Sequence, residues 1–467
     1  MRAALLIDFG STYTKLRAVD LDAQRVLAAG QGPSTVTSNV TIGLDLALED
    51  LTRQLGSLPT FRHRLASSSA AGGLKMVTIG LVKELTAEAA RQAALGAGAK
   101  LVGTFVYRLT ANDMARIEAL GPDIVLLAGG TDGGNAEVVC HNAERLAASS
   151  LACPVVVACN RDVAEEVASR ISAAGKPAIR TENVMPAFGE LNIDPARAAI
   201  RQVFIDRIVH AKGIDRAAAR FDAVLMPTPA AVMEGARLLA TGTQKQRGLG
   251  DLLVVDIGGA TTDVHSVAEG APARSGVVQY GLPEPFVKRT VEGDLGMRHN
   301  AETIVDGAGF AKFAERAGLS EERLRAKLDE IASDVERLPA SAEDVALDEA
   351  LAWTAVRIAV ARHAGTAEVV QTVHGPVIMQ RGKDLSAVKT VIGTGGPLAH
   401  GATPAAVLHA ALANPADPFS LRPTAPALFI DADYLLYASG LLAEVEPEAA
   451  FALALASLRP LEERKAS

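Results

Sequence analysis

The sequence predicts an α/β protein of two domains, and three observations carry that reading. Short apolar runs alternate with Ala-rich or Leu/Ile-patterned helical segments, the pattern of sheets covered by helices. The chain has 467 residues, too many for one ordinary core. A strand, tight turn and returning strand near the start also recur past the middle. The first copy runs Leu5, Leu6, Ile7, Asp8, Phe9, Gly10, Ser11, Thr12, Tyr13, Thr14, Lys15, and the second Leu253, Val254, Val255, Asp256, Ile257, Gly258, Gly259, Ala260, Thr261, Thr262, Asp263.

A hydrophobic content of 49% with only 4% aromatics suits closely packed layers and excludes a disordered chain. Lys plus Arg number 46 against 54 Asp plus Glu, and the net charge of −8 offers no general attraction to nucleic acid or to an anionic membrane. The apolar start at residues 3–7 is cut by Asp8, too short for a signal-peptide core or a membrane span, so a cytoplasmic location is expected. Cys140, Cys153 and Cys159 lack metal-type spacing; Cys153 and Cys159 flank an apolar run at 154–158, which reads as a buried strand with core thiols. The nine His are dispersed, so no protein-held transition-metal site is expected.

In each hairpin an apolar strand ends in Asp and a glycine turn follows. Glycine lets backbone approach a ligand closely, and N–H and hydroxyl groups in such turns hold phosphate oxygens. Asp supplies hard oxygen for Mg2+, directly or through its waters. One Asp-x-Gly after a strand is usually only an ordinary turn; two copies at corresponding places, with further signals in order, favour phosphate. Two such hairpins facing each other would grip a nucleoside triphosphate from both sides.

Along the chain, residues 26–29 extend the first hairpin to a third strand and 87–99 form an Ala-rich helix. Residues 123–128 form a buried strand entering Gly129, Gly130, Thr131, Asp132, Gly133, Gly134 and Asn135. That turn lacks a Walker-type Lys-Ser/Thr, so a phosphate-facing turn and a tight strand-to-helix turn both fit. A strand at 155–158 and a helix at 162–173 follow. The pattern loosens between 180 and 221, around Pro186 and Pro195, and reads as an insertion or a connecting region. Met226, Pro227, Thr228 and Pro229 open a helix whose small residues permit a close crossing. Leu324, Leu328, Ile331 and Val335 follow helical spacing, and 345–363 form a long helix carrying Trp353; both read as packing surface. Residues 388–398 run from a strand into Gly393, Thr394, Gly395 and Gly396, where backbone would pass close to an adenosine moiety, and 434–442 form a small-residue helix. The expected division is 1–250, with the insertion near 180–220, and 251–467, whose C-terminal helix packs back on the first domain.

The order of these signals resembles the five-motif signature of the actin, Hsp70 and sugar kinase superfamily: phosphate 1 at 8–15, connect 1 at 227–235, phosphate 2 at 256–263, adenosine at 393–396, and connect 2 ending at Leu442. The resemblance implies a two-lobed actin-like ATPase fold of duplicated ribonuclease H-like domains with a nucleotide cleft between the lobes. Within that superfamily the chain is similar to the accessory protein of glutamate (methylaspartate) mutase, called MutL or GlmL and unrelated to the mismatch-repair protein. The supporting stretches are residues 127–135, 182–186, 227–232, 256–265, 288–298 and 393–396, with Lys288 to Arg298 more specific than any glycine turn. That likeness implies an ATP-dependent partner that maintains or reactivates an adenosylcobalamin-dependent carbon-skeleton mutase. No cobalamin-binding D-x-H-x-x-G pattern is present, which assigns the cobalamin to the partner.

On this reading Mg-ATP sits between the hairpins. Asp8 and Asp256 hold the waters of Mg2+, Lys15 neutralises β- or γ-phosphate charge, and Asp256 or Asp263 orients the attacking water. Gly10, Ser11, Thr12, Gly258, Gly259, Ala260, Thr261 and Thr262 surround the phosphates, and Gly393, Gly395 and Gly396 pass near the adenosine. Hydrogen bonding on the strand surface fits Thr262 and Asp263 as well as direct contact does. Hsp70-type ATPases carry Glu immediately before the connect-1 proline where this chain has Met226, so slow hydrolysis is expected. Two alternatives stay open: a small-molecule kinase of the same superfamily, which needs a base poised at an acceptor hydroxyl, and an actin-like filament protein.

Overall fold

The computed structural model describes residues 1–10, 13–35, 39–68, 74–211, 222–273, 275–373 and 375–461. Two compact units make up the chain: Met1–Glu234 with Gly281–Pro285 and Tyr437–Ala450, and Gly235–Tyr280 with Phe286–Leu436 and Phe451–Ser467.

The main sheet of the first unit has strands in the order Arg25–Pro33, Tyr13–Asp20, Ala3–Phe9, Phe61–Ser68, Ala223–Pro227. The first three are antiparallel neighbours, and the last two run parallel to Ala3–Phe9. Every residue of the central strand Ala3–Phe9 is buried, which is why it reads as an unbroken apolar run and not as an alternating one. Helix Val40–Leu55 lies directly on the third strand; a Cβ on Gly30 would fall 2.4 Å from the Ala47 carbonyl oxygen, so glycine permits that approach.

Between its fourth and fifth strands this unit builds a second, wholly parallel sheet in the order Lys100–Val106, Lys75–Gly80, Ile124–Gly129, Val155–Cys159, Ala178–Arg180. Helices Thr86–Gly96, Ala111–Leu120, Glu137–Ala147 and Arg161–Ala173 connect its strands, a doubly wound arrangement. The Gly129 to Asn135 turn is closed from within. Asp132 N donates to Pro186 O (2.9 Å), Gly133 N to Asn160 Oδ1 (3.2 Å) and Gly134 N to Thr131 O (2.9 Å). Asn183 Nδ2 donates to Gly130 O and to Asp132 Oδ1. Of the two readings open in the sequence, the tight strand-to-helix turn is the one built here. Cys153, just before strand Val155–Cys159, and Cys159, its last residue, are both buried, and burial pushes the Cys159 thiol up to about 12.

The second unit has strands in the order Val287–Glu292, Thr262–Val267, Leu252–Ile257, Thr390–Thr394, Ala427–Asp431, Leu458–Pro460. Its first five repeat the order and directions of the first unit's main sheet: three antiparallel neighbours, then two strands parallel to the central one. This is the ribonuclease H-like arrangement, present twice. Helix Ala342–His363, started by a Ser341/Asp344 capping box, buries Leu347, Leu351, Val356 and Val360 in the core of this unit beside the shorter helices Ala301–Ala308 and Phe310–Ala317. A small outlying sheet is formed by Val277–Tyr280, Gly375–Arg381 and Thr366–Thr372. No helix among the described residues is long and apolar enough to cross a membrane.

Candidate functional site

The repeated sheet gives each hairpin the same internal register within its own unit. Asp8 faces Lys15 across its hairpin and Ser67 on the adjacent parallel strand; Asp256 faces Asp263 and Thr394 in the same two directions. Phe9 and Gly10 thus correspond to Ile257 and Gly258, and Lys15 corresponds to Asp263.

In the first unit Asp8 is 3% exposed. Its Oδ1 accepts from Thr228 Oγ1 at 2.6 Å and from Ser67 Oγ at 3.3 Å. Burial raises the Asp8 carboxyl above the ordinary range, opposed by the charge of Lys15 and by the Thr228 and Ser67 hydroxyls. Gly10 N donates to Tyr13 O at 3.0 Å, and a Cβ on Gly10 would fall 2.6 Å from that oxygen, so the turn requires glycine. Ser11 and Thr12 lie outside the described residues.

In the second unit the turn is backed by residues 296–300. Met297 N donates to Gly258 O, Arg298 N and His299 N to Gly259 O, and Asn300 Nδ2 to Ala260 O. A Cβ on Gly296 would fall 2.2 Å from the Ala260 carbonyl carbon. The carbonyls of the turn therefore point back into the protein. Gly258 N closes the turn onto Thr261 O at 2.9 Å. The amides of Gly259, Ala260 and Thr261 donate to no acceptor among the described residues, and Gly259 and Ala260 are exposed. Outward amides with inward carbonyls make a polarity suited to an anion.

The remaining residues divide by what they touch. Thr262 is fully buried and its hydroxyl donates to Leu295 O at 2.7 Å. Asp263 forms a buried ion pair with Arg289, Nη2 to Oδ2 at 2.9 Å. Gly393 is packed against Leu398 and Leu408, whereas Gly395, at φ +94°, brings backbone against Asp256: a Cβ there would fall 2.2 Å from Ile257 O and 2.9 Å from Asp256 Oδ1. Gly396 opens helix Gly396–Ala399 and has free space beside it. Met226 is fully buried and pairs with Ser67, one strand over from Asp8.

The MutL protein family model matches residues 4–458. The chain belongs to this family. Protein MutL of Clostridium tetanomorphum is 48% identical over 451 residues, covering 96% of this chain and 98% of that protein. Among solved structures, ligand-bound xylulose kinase from Lactobacillus acidophilus is similar at 8% identity over 99% of this chain and 93% of its own, with a TM-score of 0.37. Xylulose kinase from Bifidobacterium adolescentis is similar at 11% identity over 98% and 94%, with a TM-score of 0.32.

Four residues to which the sequence alone assigned no site role complete the frame of this MutL family member. Ser67 and Thr228 hold Asp8. Thr394, opposite Asp256, donates to Asp431 Oδ2 at 3.2 Å. Asp431, 1% exposed, also accepts from Leu435 N and Leu436 N and from Ser457 Oγ; burial raises its carboxyl, opposed by these hydrogen bonds. In the duplicated sheet Asp431 occupies the place that Met226 holds in the first unit. A signal for it existed: Phe429, Ile430 and Asp431 form one more apolar strand ending in Asp.

Proposed function

We propose that this protein is an ATP-binding accessory factor that reactivates an adenosylcobalamin-dependent carbon-skeleton mutase such as glutamate (methylaspartate) mutase. The observation that carries the nucleotide part is the duplicated hairpin, with Asp8 and Asp256 at equivalent registers and outward amides at Gly259, Ala260 and Thr261. Family membership supports the mutase part.

The residues present fit magnesium and phosphate. Asp8, fixed through one oxygen by Thr228 and Ser67, and Asp256, crowded by the Gly395 backbone, would each offer, within its own unit, hard oxygen of the kind a hydrated Mg2+ takes. Lys15, directly across from Asp8, offsets phosphate charge. Gly10, Ser11 and Thr12 in one turn and Gly258, Gly259, Ala260 and Thr261 in the other would hold phosphate oxygens, with Gly395 and Gly396 beside the adenosine and Gly393 packed behind them. Thr262 and Asp263 would brace the second turn through Leu295 and Arg289. When bound, Mg2+ supplies charge neutralisation at the phosphates. Hydrolysis without the partner is slow on this account, because buried Met226 provides no carboxylate to orient water.

The test is a time course of turnover by a mutase stalled through damaged cobalamin. Recovery requires this protein, Mg-ATP and fresh adenosylcobalamin together, and the Asp256→Asn variant gives none. Equal recovery without ATP, or with that variant, refutes nucleotide-driven reactivation.

A further inference from the structure

Away from both hairpins, the small sheet of the second unit has no core of its own. Its strands lie in the order Val277–Tyr280, Gly375–Arg381, Thr366–Thr372, and Gln380 is their one buried residue. Val278, Tyr280, Val369 and Ile378 are exposed. Three strands without a packed face are marginal by themselves, and an open edge strand is a template for a further one.

The two edges of this sheet differ. Val277–Tyr280 has 4 residues, a short edge of the kind that resists further pairing, whereas Thr366–Thr372 has 7, with neither Lys nor Pro to block it. The backbone phase of the longer edge is set at its start: Ala367 N donates outward, to Phe419 O at 2.8 Å, and Thr366 bridges Ser420. Outward groups recur at every second residue of an antiparallel edge, so Val369 and Gln371 also turn N–H and C=O away from Gly375–Arg381. Neither has a hydrogen-bond partner on that side among the described residues. The strand's one charged residue, Glu368, accepts from Arg381 Nε at 3.2 Å within its own sheet.

We propose that a second copy of this chain pairs antiparallel with this edge about a two-fold axis at Val370. In that register Val369 exchanges both backbone hydrogen bonds with Gln371 of the second copy, and Gln371 with its Val369, so the open groups of both edges are satisfied together. The neighbouring registers fail. Centring on Val369 sets Gln371 of the second copy against Ala367, whose N–H Phe419 already holds, and centring on Gln371 leaves Val369 facing Val373, past the end of the strand. Val370 pairs with Val377 in its own sheet, so the axis at Val370 lines up four valines in one row across the joint. Glu368 comes opposite Thr372 and meets no like charge. A strand from the mutase would cover one edge only, whereas a second copy closes two with a single isologous contact. The edge shares no residue with the hairpins, so this pairing stands whether or not they bind ATP.

Sedimentation equilibrium of the full chain without nucleotide shows a concentration-dependent monomer–dimer equilibrium. Gln371→Pro deletes one outward N–H and no bond within the sheet, and raises the dissociation constant at least tenfold. Two cysteine variants keep the test decisive should Gln371→Pro fold poorly. In the paired edges the two Val370 Cα atoms lie about 4.5 Å apart, within reach of a disulfide, so Val370→Cys gives a covalent dimer on oxidation, above the level of the wild type with its free Cys140, Cys153 and Cys159. Glu368→Cys gives none, because its two copies are offset along the strand by about 13 Å, beyond that reach. A monomer at every concentration, a dimer unaffected by a folded Gln371→Pro variant, equal cross-linking of the two cysteine variants, or a monomer whose binding to the mutase Gln371→Pro abolishes each overturns the proposal.

Discussion

Asp8 carries its charge at a cost to the fold that Lys15 and two hydroxyls offset only in part and that a bound cation would relieve further. Its carboxyl is raised by burial, so in the folded state it holds its proton to higher pH than in the unfolded chain, where it titrates near about 3.9. Above that value the unfolded state releases the proton more readily, and folding loses stability as pH rises through the folded pKa. Asp8→Asn removes the penalty and keeps both acceptor bonds from Thr228 and Ser67. The ligand-free variant therefore melts higher; a gain on the order of 1 kcal/mol corresponds to about 2–4 °C for a domain of this size. The same variant loses the Mg-ATP-induced rise in melting temperature seen for the wild type. A lower ligand-free melting point, or an intact Mg-ATP shift, contradicts this account. His265 shows the opposite sign. It is fully buried with neither ring nitrogen hydrogen-bonded among the described residues, and burial, then the charge of Arg289, hold its pKa well below the ordinary value. Its unfolded form takes up a proton below about pH 6.5, so stability present above that pH is lost as pH falls through it, by up to about 1.4 kcal/mol per unit. His265→Leu flattens that acid limb in denaturation profiles taken between pH 7 and 5; an unchanged slope excludes His265 as its source.

At the scale of elements, the glycines after strand Thr390–Thr394 separate fold from ligand. Gly395 sits at positive φ with Ile257 O where a Cβ would go, so Gly395→Ala destabilises by more than about 1 kcal/mol. Gly396 has open space, and Gly396→Ala stays within about 0.5 kcal/mol of wild type in denaturant unfolding. Equal losses for both would mean that the backbone at Gly395 is not the constraint drawn here. The same contrast explains what could be read without coordinates. The hairpin strands, strands Ile124–Gly129 and Val155–Cys159, and helices Arg161–Ala173 and Ala342–His363 are legible because complete burial on both faces or strict helical spacing is written locally. The pairing of 75–180 into its own parallel sheet, and the small sheet containing Val277–Tyr280, rest on contacts between distant segments that no local pattern records. Asp8 and Asp256 stood out by repetition, whereas Ser67 and Thr394 act from neighbouring strands and Thr228 from the start of helix Thr228–Thr241, and a lone hydroxyl carries no spacing of its own. For Gly129 to Asn135 two readings stood open because glycine serves close packing and close ligand approach alike; the side chains that close the turn, Asn160 and Asn183, come from later in the chain.

For the whole molecule, duplication of one sheet gives two equivalent Asp-Gly turns, and divergence between the copies sets what each contributes. Lys15 stands where the second copy has Asp263, and Met226 where it has Asp431. Under the proposed function this asymmetry favours holding a nucleotide over turning it over quickly, and the useful quantity is then the difference between nucleotide states. A ligand shifts a conformational equilibrium only by its differential affinity for the two conformations, and moving one from 1:99 to 99:1 takes about 10⁴-fold. If bound nucleotide governs the partner, the mutase must bind the ATP-loaded and ADP-loaded protein with different affinities. We expect at least a tenfold difference, about 1.4 kcal/mol, in titrations of the mutase against the protein held with Mg-ATP or Mg-ADP. Asp256→Asn should bring the two affinities together, because it weakens the metal-dependent contact that tells the nucleotides apart. Equal mutase affinity in the two nucleotide states of the wild type would leave nucleotide with no means of driving release, whatever the rate of hydrolysis.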